Sequence, residues 1–299
     1  MSVLPVLLKQ RNHENSLKKK ERHESVGDVA LKGMPDNLNN MKWIIEKHLF
    51  DYTAALSDAI RAFGDQAFVV NFDPNPNEAI AAAQRKFGTD FFQRAIIHGS
   101  TRLAVETPLG AQLFGGTSQF SVSTYTPKLG AILLNPSPKA CAWRELVEQA
   151  QPLGQKIFVR PDVPWKTFSG KVLTRDALPG WYASEGSLRN IPPETSCQIS
   201  VFQPIEAEWR VLMIDRKAVT CSRYGTAHGE NDSSATEVMV LAEQLSSYAE
   251  TMTVDVCRTN GIYKVVELGN LNTCDWYASD LQKVVPALSA YAAKYFSQV

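Results

Sequence analysis

No apolar run in the chain approaches the about 18–20 residues that a membrane-crossing helix needs. The opening Met1-Ser2-Val3-Leu4-Pro5-Val6-Leu7-Leu8 is short, and Lys9 and Arg11 come after it, whereas a signal peptide carries its positive charge in front. The sequence therefore reads as cytoplasmic, with no membrane partner. Charge of one sign is also missing: Lys plus Arg and Asp plus Glu each number 31 in 299 residues. That balance argues against a broad basic face for nucleic acid, because each phosphate contact needs a local positive charge. The 5 cysteines (Cys141, Cys197, Cys221, Cys257, Cys274) are widely spaced, with no CxxC pair; reduced, mostly buried thiols are expected. His13, His23, His48, His98 and His228 form no HExxH or other close ligand pair, which argues against structural zinc. Neither a GxxxxGK[ST] phosphate loop nor the protein-kinase signatures occur, so a P-loop or kinase fold is a poor candidate.

What is present divides unevenly. Residues 1–40 are polar, include Lys18-Lys19-Lys20 beside Glu21-Arg22, and show only a short apolar segment at 26–31. They read as a disordered or weakly structured leader, with a nucleic-acid tail as the alternative for the basic cluster; a translational start at Met41 fits equally well. From Met41 strands and helices alternate: strand character at 42–45, 66–70 and 94–98, and helical spacing at 51–62 and 78–87. This predicts a small α/β unit over residues 41–149, with a Gly/Ser/Thr-rich stretch at 114–125, an apolar run at 129–134 and a helix at 143–150. Short strand candidates then follow at 156–159, 198–202, 208–214, 217–221, 252–257 and 262–268, with helices at 234–250 and 281–296. Turns are expected at Asp215-Arg216 and Asn260-Gly261, the second an Asn-Gly hairpin signal.

Three polar clusters interrupt the strands. In the first, Phe158-Val159-Arg160-Pro161-Asp162 runs into a loop carrying Lys166, Ser169, Gly170 and Lys171; cations beside a small-residue turn suit phosphate oxygens, although an ordinary surface loop has the same composition. The second, Glu206-Ala207-Glu208-Trp209-Arg210-Val211, sets Glu208 and Arg210 on one strand face, either paired with each other or with Arg210 on a nucleotide or acyl phosphate. The third joins Thr253-Val254-Asp255-Val256-Cys257 through Asn260-Gly261 to Tyr263-Lys264-Val265-Val266-Glu267-Leu268-Gly269-Asn270. Asp255 and Glu267 side by side would repel unless protonated or bridged by a cation. With the Asn270 amide oxygen they make a hard donor set of the kind magnesium takes, phosphates completing its shell.

In this order the clusters resemble the ATP-grasp superfamily, and most closely a bacterial and phage branch with arginine in place of the first nucleotide-binding lysine. The resemblance is strong over residues 150–280. It implies an α+β ATP-grasp fold, two β-rich lobes closing on a nucleotide, preceded by a small α/β domain. The boundaries it implies are a leader at 1–40, an N-terminal domain at 41–149, a small lobe at 150–205 and a large lobe with the metal site at 206–299.

Roles follow from the resemblance residue by residue. Arg160 stands for the first lysine, Lys166 for the phosphate-loop cation, and Gly170 lets that loop approach the triphosphate. Ser200 and Phe202 lie on the strand leading to the adenine-reading linker, and Glu206 or Glu208 accepts from the ribose or the adenine amino group. Arg210 joins Lys166 in stabilising the transferring phosphoryl group, while Asp255, Glu267 and Asn270 hold magnesium. The family's usual Glu-x-Asn is broken by Gly269; a bulge there would restore Asn270, and Asn272 is a second candidate. ATP and magnesium are the cofactors implied. The reaction implied joins a carboxylate to an amine or a thiol through an acylphosphate. Partners would be a small-molecule, peptide or protein-tail carboxylate and an amine acceptor, with His98, Arg102, Tyr125 and Lys128 as candidate contacts. No protein nucleophile is required, so Cys197 and Cys257 have no covalent role. The rivals are a non-catalytic ATP-binding sensor or partner protein and a structural relative that keeps only the fold.

Overall fold

Lys42-Trp-Ile-Ile-Glu46 opens the first sheet because alternate side chains have apolar cover on both sides. The computed structural model describes residues 40–47, 49–71, 76–100, 118–153, 155–163, 167–224 and 235–298, all within one compact unit, Asn37–Val299. Strand β1 (Lys42–Glu46) lies between β2 (Gln66–Val70) and β3 (Ala95–His98), all parallel. Helices α1 (Thr53–Phe63) and α2 (Pro76–Phe87) make the crossovers. Trp43 and Ile45 pack against Leu56 and Ile60 of α1 and Val285 and Leu288 of the last helix, while Ile44 faces Phe91, Phe92 and Ile97. The Trp43 indole N–H donates to Asp65 (3.1 Å) and Ser289 (3.2 Å), tying this sheet to the chain's far end. Among the described residues no helix is long and apolar enough to cross a membrane.

The second sheet is antiparallel, in the order β4 (Lys139–Ala142), β7 (Ser196–Val201), β5 (Lys156–Pro161), β6 (Lys171–Thr174). Ile157, Val159, Leu173, Cys197 and Ile199 face a core shared with Trp143, Leu146 of α4 (Leu146–Ala150) and Leu178 of α5 (Leu178–Arg189). Lys156, Phe158 and Arg160 alternate with that set and face the other way. Helix α3 (Val122–Leu129) precedes this sheet, and its first turn is held by the residue that follows β5: Asp162 accepts from the Ser123 N–H (2.8 Å) and hydroxyl (2.7 Å). The stretch read only as Gly/Ser/Thr-rich thus ends in a helix capped by a distant carboxylate.

The third sheet runs β11 (Ile262–Gly269), β10 (Thr251–Thr259), β8 (Ala207–Ile214), β9 (Lys217–Arg223), all neighbours antiparallel. Trp209, Val211 and Met213 of β8 pack with Val238 and Ala242 of α6 (Ala235–Glu243) and with Tyr125 of α3. Leu212 and Ile214 face instead the core with Trp43 and α7 (Leu281–Phe296). Both predicted two-residue turns form, with positive φ at Asp215 (49°), Arg216 (66°), Asn260 (48°) and Gly261 (75°). An arginine at positive φ is costly; the Arg216 N–H donates to Glu250 O (2.9 Å) and its guanidinium pairs with the Glu250 carboxylate (3.2 Å). The expected helix 234–250 is shorter than its apolar pattern, since turns follow Glu243, although Leu245 and Ala249 still pack inward.

Candidate functional site

Strand register builds the site. Glu267, Asp255, Arg210 and Ser222 are successive cross-strand partners on β11, β10, β8 and β9, one row across the third sheet. The row depends on an irregularity: Val256 faces Val265 but Asp255 faces Glu267, leaving Val266 as an extra residue. The bulge therefore lies at Val266 and not at Gly269, which stays in register with Thr253. A Cβ at Gly269 would lie 2.8 Å from Thr253 Oγ1, a packing reason for that glycine.

Arg210 brackets Asp255 with two parallel hydrogen bonds, Nε to Oδ1 at 2.8 Å and Nη2 to Oδ2 at 2.7 Å. Its Nη1 donates to Asp275 O (2.8 Å) and its Nη2 also to the Tyr224 hydroxyl. Tyr224 in turn donates to Asp255 Oδ2 (2.6 Å). The guanidinium lies over the rings of Tyr224 and Tyr277 at 5.1 and 5.2 Å from their centroids, a cation–π contact with two rings that also touch each other, 4.6 Å apart and tilted. Burial alone would lower the pKa of Arg210, but the Asp255 carboxylate overcomes it and holds the group well above its ordinary value. Full burial raises the pKa of Asp255, with Arg210 and the Tyr224 hydroxyl acting against that rise. Tyr224 is driven far up by burial and by Asp255, so it stays a donor.

From the second sheet Arg160 reaches across to Glu267 and forms an ion pair with it. Arg210 Nη2 is 3.9 Å from the other Glu267 oxygen. Two guanidiniums and two carboxylates thus make a cluster of zero formal charge between the sheets. Burial opposes the Arg160 charge, but Glu267 first, and Tyr125 and Asp255 with it, raise its pKa overall. Tyr125 is buried beside it, its own pKa pushed up to about 12 by burial.

Lys166 and Arg102, two of the expected contacts, lie outside the described residues, as do residues 1–39 of the leader. Gly170 lies flat against a ring: a Cβ there would be 2.8 Å from Phe158 Cζ. Ser200 is buried opposite Phe158, and Gln198 is the register partner of Arg160 on the same face. Phe202 follows β7, under Lys156 Nζ at 5.6 Å. Glu206 is clipped to the β10–β11 hairpin by Arg258 (2.9 Å) and the Gly261 N–H (3.2 Å), away from the charged row. Glu208 lies opposite Cys257, two residues from Arg210 on the same face of the sheet. Asn270 is buried at the start of a 3-10 turn, Leu271–Thr273. The carbonyl of Asn272 accepts from the Gly99 N–H (3.0 Å). Among the described residues no group of three or more His, Cys, Asp or Glu is placed to hold a metal.

His98 is fully buried, stacked on Phe50 (4.4 Å) and Trp276 (4.0 Å), with Tyr52 OH 2.9 Å from its Nε2. Burial lowers its pKa to about 3, so it is neutral and walled in by aromatics. Lys128 lies over the Tyr248 ring (5.2 Å). Sequence reasoning missed Tyr224, Tyr277 and the clamp of Asp162; only Asp162 carried a signal, as the residue that ends the strand motif begun at Phe158.

Residues 114–288 match a family described as an ATP-grasp domain, the third family of its clade. No curated protein matches the chain. Among solved structures, a RimK domain ATP-grasp protein from Sphaerobacter thermophilus is 16% identical, with a TM-score of 0.55 over 85% of this chain and 98% of that one. D-alanine–D-alanine ligase from Bacillus anthracis is 13% identical, with a TM-score of 0.55 over 87% and 99%. The D-cycloserine synthetase DcsG is 12% identical, with a TM-score of 0.54 over 85% and 99%. At these identities the likeness is one of fold, and the fold is the α+β ATP-grasp fold expected from the sequence.

Proposed function

Because the chain belongs to this family of ATP-grasp domains, we propose that it is an ATP- and magnesium-dependent ligase that joins a carboxylate to an amine or thiol through an acylphosphate. One observation carries the reading: the row Glu267–Asp255–Arg210 on one sheet faces Arg160 from another, so both signs of charge meet between two sheets. Arg160 takes a phosphate in the place of the superfamily's first lysine, as in the bacterial and phage branch, and Lys166 supplies the second cation. Phe158, Ser200 and Phe202 line the nucleotide's side of the second sheet, with Glu206 or Glu208 for the ribose or amino group.

The donor set fits magnesium in a particular way. Asp255 and Glu267 are hard oxygen donors, and Asn270 is buried next in line, but both carboxylates already face a guanidinium. Such a set suits a cation that arrives with phosphate oxygens of its own. Asp255, Glu267 and Asn270 would hold the ion, which would supply positive charge against that developing on the phosphoryl group. Arg210, fixed by Asp255, Asp275 and Tyr224, sets the position and charge of Asp255 and reaches the phosphoryl group only if that bracket opens. The carboxylate belongs to a small molecule, a peptide or a protein tail and the acceptor is an amine or thiol, and the mostly buried thiols suit a reducing, cytoplasmic setting.

The test is calorimetry of ATP with and without magnesium, followed by ADP release against a mixed pool of amino acids and peptides. Magnesium-assisted binding with substrate-dependent ADP release is expected; absence of binding in a folded sample would overturn the reading. The second reading, a non-catalytic ATP-binding protein, is favoured by the full engagement of Arg210. It gives binding without turnover for any acceptor.

A further inference from the structure

Two cysteines meet across a strand pair. Cys141 of β4 and Cys197 of β7 are register partners in the second sheet, so both thiols leave it on one face, toward the core with Leu146 and Phe168. Among the described residues no other two cysteines are partners: Cys221 lies opposite Val211, Cys257 lies between Glu208 and Lys264, and Cys274 is outside the strands. The Trp143 N–H donates to Thr195 O (2.8 Å), and ladder bonds alternate along antiparallel strands, which makes Cys141 and Cys197 a hydrogen-bonded pair. Such a pair holds its Cα atoms about 5.5 Å apart, inside the range of about 4.4–6.8 Å that a disulfide spans. Its Cβ atoms, at roughly 5 Å, need to close by on the order of 1 Å. Strand β4 is free to supply that movement, since it is only 4 residues long and forms an edge of its sheet. Access is one-sided: Cys197 is fully buried, whereas Cys141 keeps 9% of its surface exposed. Burial pushes the thiol pKa up, to about 11 at Cys141 and about 12 at Cys197. Both therefore stay protonated near neutral pH, and only a sustained oxidant reaches them.

We infer that Cys141 and Cys197 form an oxidation site, closing under peroxide to a disulfide that staples the edge strand β4 to β7 and opening again under a thiol reductant. The Cys141 sulfur attacks one peroxide oxygen, the O–O bond breaks, and one water leaves a sulfenic acid behind. The Cys197 sulfur then displaces that hydroxyl as a second water, and the S–S bond forms. Two thiols lose two protons and two electrons, and one peroxide becomes two waters. The link lies behind the face that carries Arg160 and its register partner Gln198, so it braces that strand pair without entering the charged site. It also closes the loop between residues 141 and 197, which constrains the unfolded chain. The inference is independent of the ligase reading and gives Cys197 no part in catalysis.

The test uses the full chain, purified with its thiols reduced and then incubated with hydrogen peroxide. Tryptic peptides are mapped by mass spectrometry without reduction, beside a sample oxidised in urea. A peptide linked through Cys141 and Cys197 is expected as the main product in the folded sample, and dithiothreitol should remove it. Thermal unfolding of the oxidised chain should shift up by about 5 °C or more and return on reduction. Cys141→Ala should show neither the link nor the shift; if that variant does not fold, the mapped link and its reversal in the native chain decide alone. Oxidation confined to Cys221 and Cys274 overturns the inference. So does an equal yield of the link in urea, which would be chance pairing, or a Tm shift that is absent from the native chain or survives in Cys141→Ala. None of these readouts involves nucleotide, so each leaves the ligase reading where it stands.

Discussion

Replacing Arg210 by methionine removes the guanidinium and keeps an apolar stem of similar length. Arg210 and Asp255 are 7% and 1% exposed, so the stranded Asp255 carboxylate gains no water when its partner leaves. Two charge-assisted bonds to Asp255 and one to Asp275 O vanish together, leaving Tyr224 as the remaining donor to Asp255. Breaking one side of a buried pair costs about 3–5 kcal/mol, and at about 2–4 °C per kcal/mol for a chain of this class Tm should fall by roughly 10 °C. Urea unfolding followed by tryptophan fluorescence suits the measurement, since Trp209 is next to Arg210 and the Trp276 carbonyl accepts from Ser222 in the same row. The double variant Arg210→Met/Asp255→Asn should recover much of the loss, because no unpaired charge remains. The pH dependence has a definite sign. Asp255 already titrates above 3.8 in the fold, and without Arg210 it titrates higher still. The folded variant then binds a proton that the unfolded chain lacks, so its deficit should narrow from pH 7 to pH 5. A loss below about 1 kcal/mol, or a double variant whose cost is the sum of the two singles, would show that the bracket does not hold the cluster.

Tyr224→Phe removes a donor to Asp255 and should cost about 1–2 kcal/mol in urea unfolding; an unchanged midpoint would remove Tyr224 from the network. His98 has its pKa lowered to about 3 by burial, against about 6.5 when unfolded. Below pH 6.5 the unfolded chain therefore binds a proton that the folded chain refuses, so stability falls as pH drops toward 3, by about 1.4 kcal/mol per unit. Between pH 7 and pH 5 that loss is about 2 kcal/mol, and His98→Phe should abolish it; an unchanged acid slope would place the titration elsewhere. Gly269→Ala puts a Cβ 2.8 Å from Thr253 Oγ1 and should lower stability by about 1–3 kcal/mol. Adding Thr253→Ala should relieve that loss, and failure to do so would mean the glycine serves the backbone rather than packing.

The elements legible in the sequence were those whose local chemistry and tertiary role agree. Asn260-Gly261 suits a tight hairpin by itself, and Trp43, Ile44 and Ile45 are apolar because both faces of a parallel strand are covered. The elements that escaped notice depend on distant partners. Helix α5 holds Pro179, Gly180 and Gly186, a poor helical composition. Yet Pro179 falls in its first turn, where no N–H is missed, and Gly186 passes the Trp143 ring where a Cβ would be 3.2 Å from Nε1. Helix α3 contains Pro127 and a Ser/Thr-rich start, and its cap comes from Asp162, 39 residues along the chain. In the site, Asp255 and Glu267 were legible as acids on neighbouring strands. Arg160 and Arg210 were legible as phosphate contacts but not as partners of these acids, and Tyr224 was not legible at all, because the pairing is a property of register between strands far apart in sequence.

Register also explains why the row exists at all. Counting from the Asn260-Gly261 turn, regular pairing sets Val256 opposite Val265, and continuing it would set Asp255 opposite Val266 and Glu267 opposite Val254. Val254 packs in the apolar core under α3 and α6, so regular pairing would turn the Glu267 carboxylate toward that core. An ionised carboxylate buried there without a partner costs several kcal/mol. The extra residue at Val266 turns Glu267 to the opposite face, where Arg160 and Arg210 meet it. Interrupting the ladder at one residue loses about one backbone hydrogen bond, worth roughly 1 kcal/mol. The bulged register is therefore favoured, because the burial cost it avoids exceeds the bond it gives up. The same arginines that make this register favourable also neutralise the acids, so the charged row is buried with both signs of charge paired.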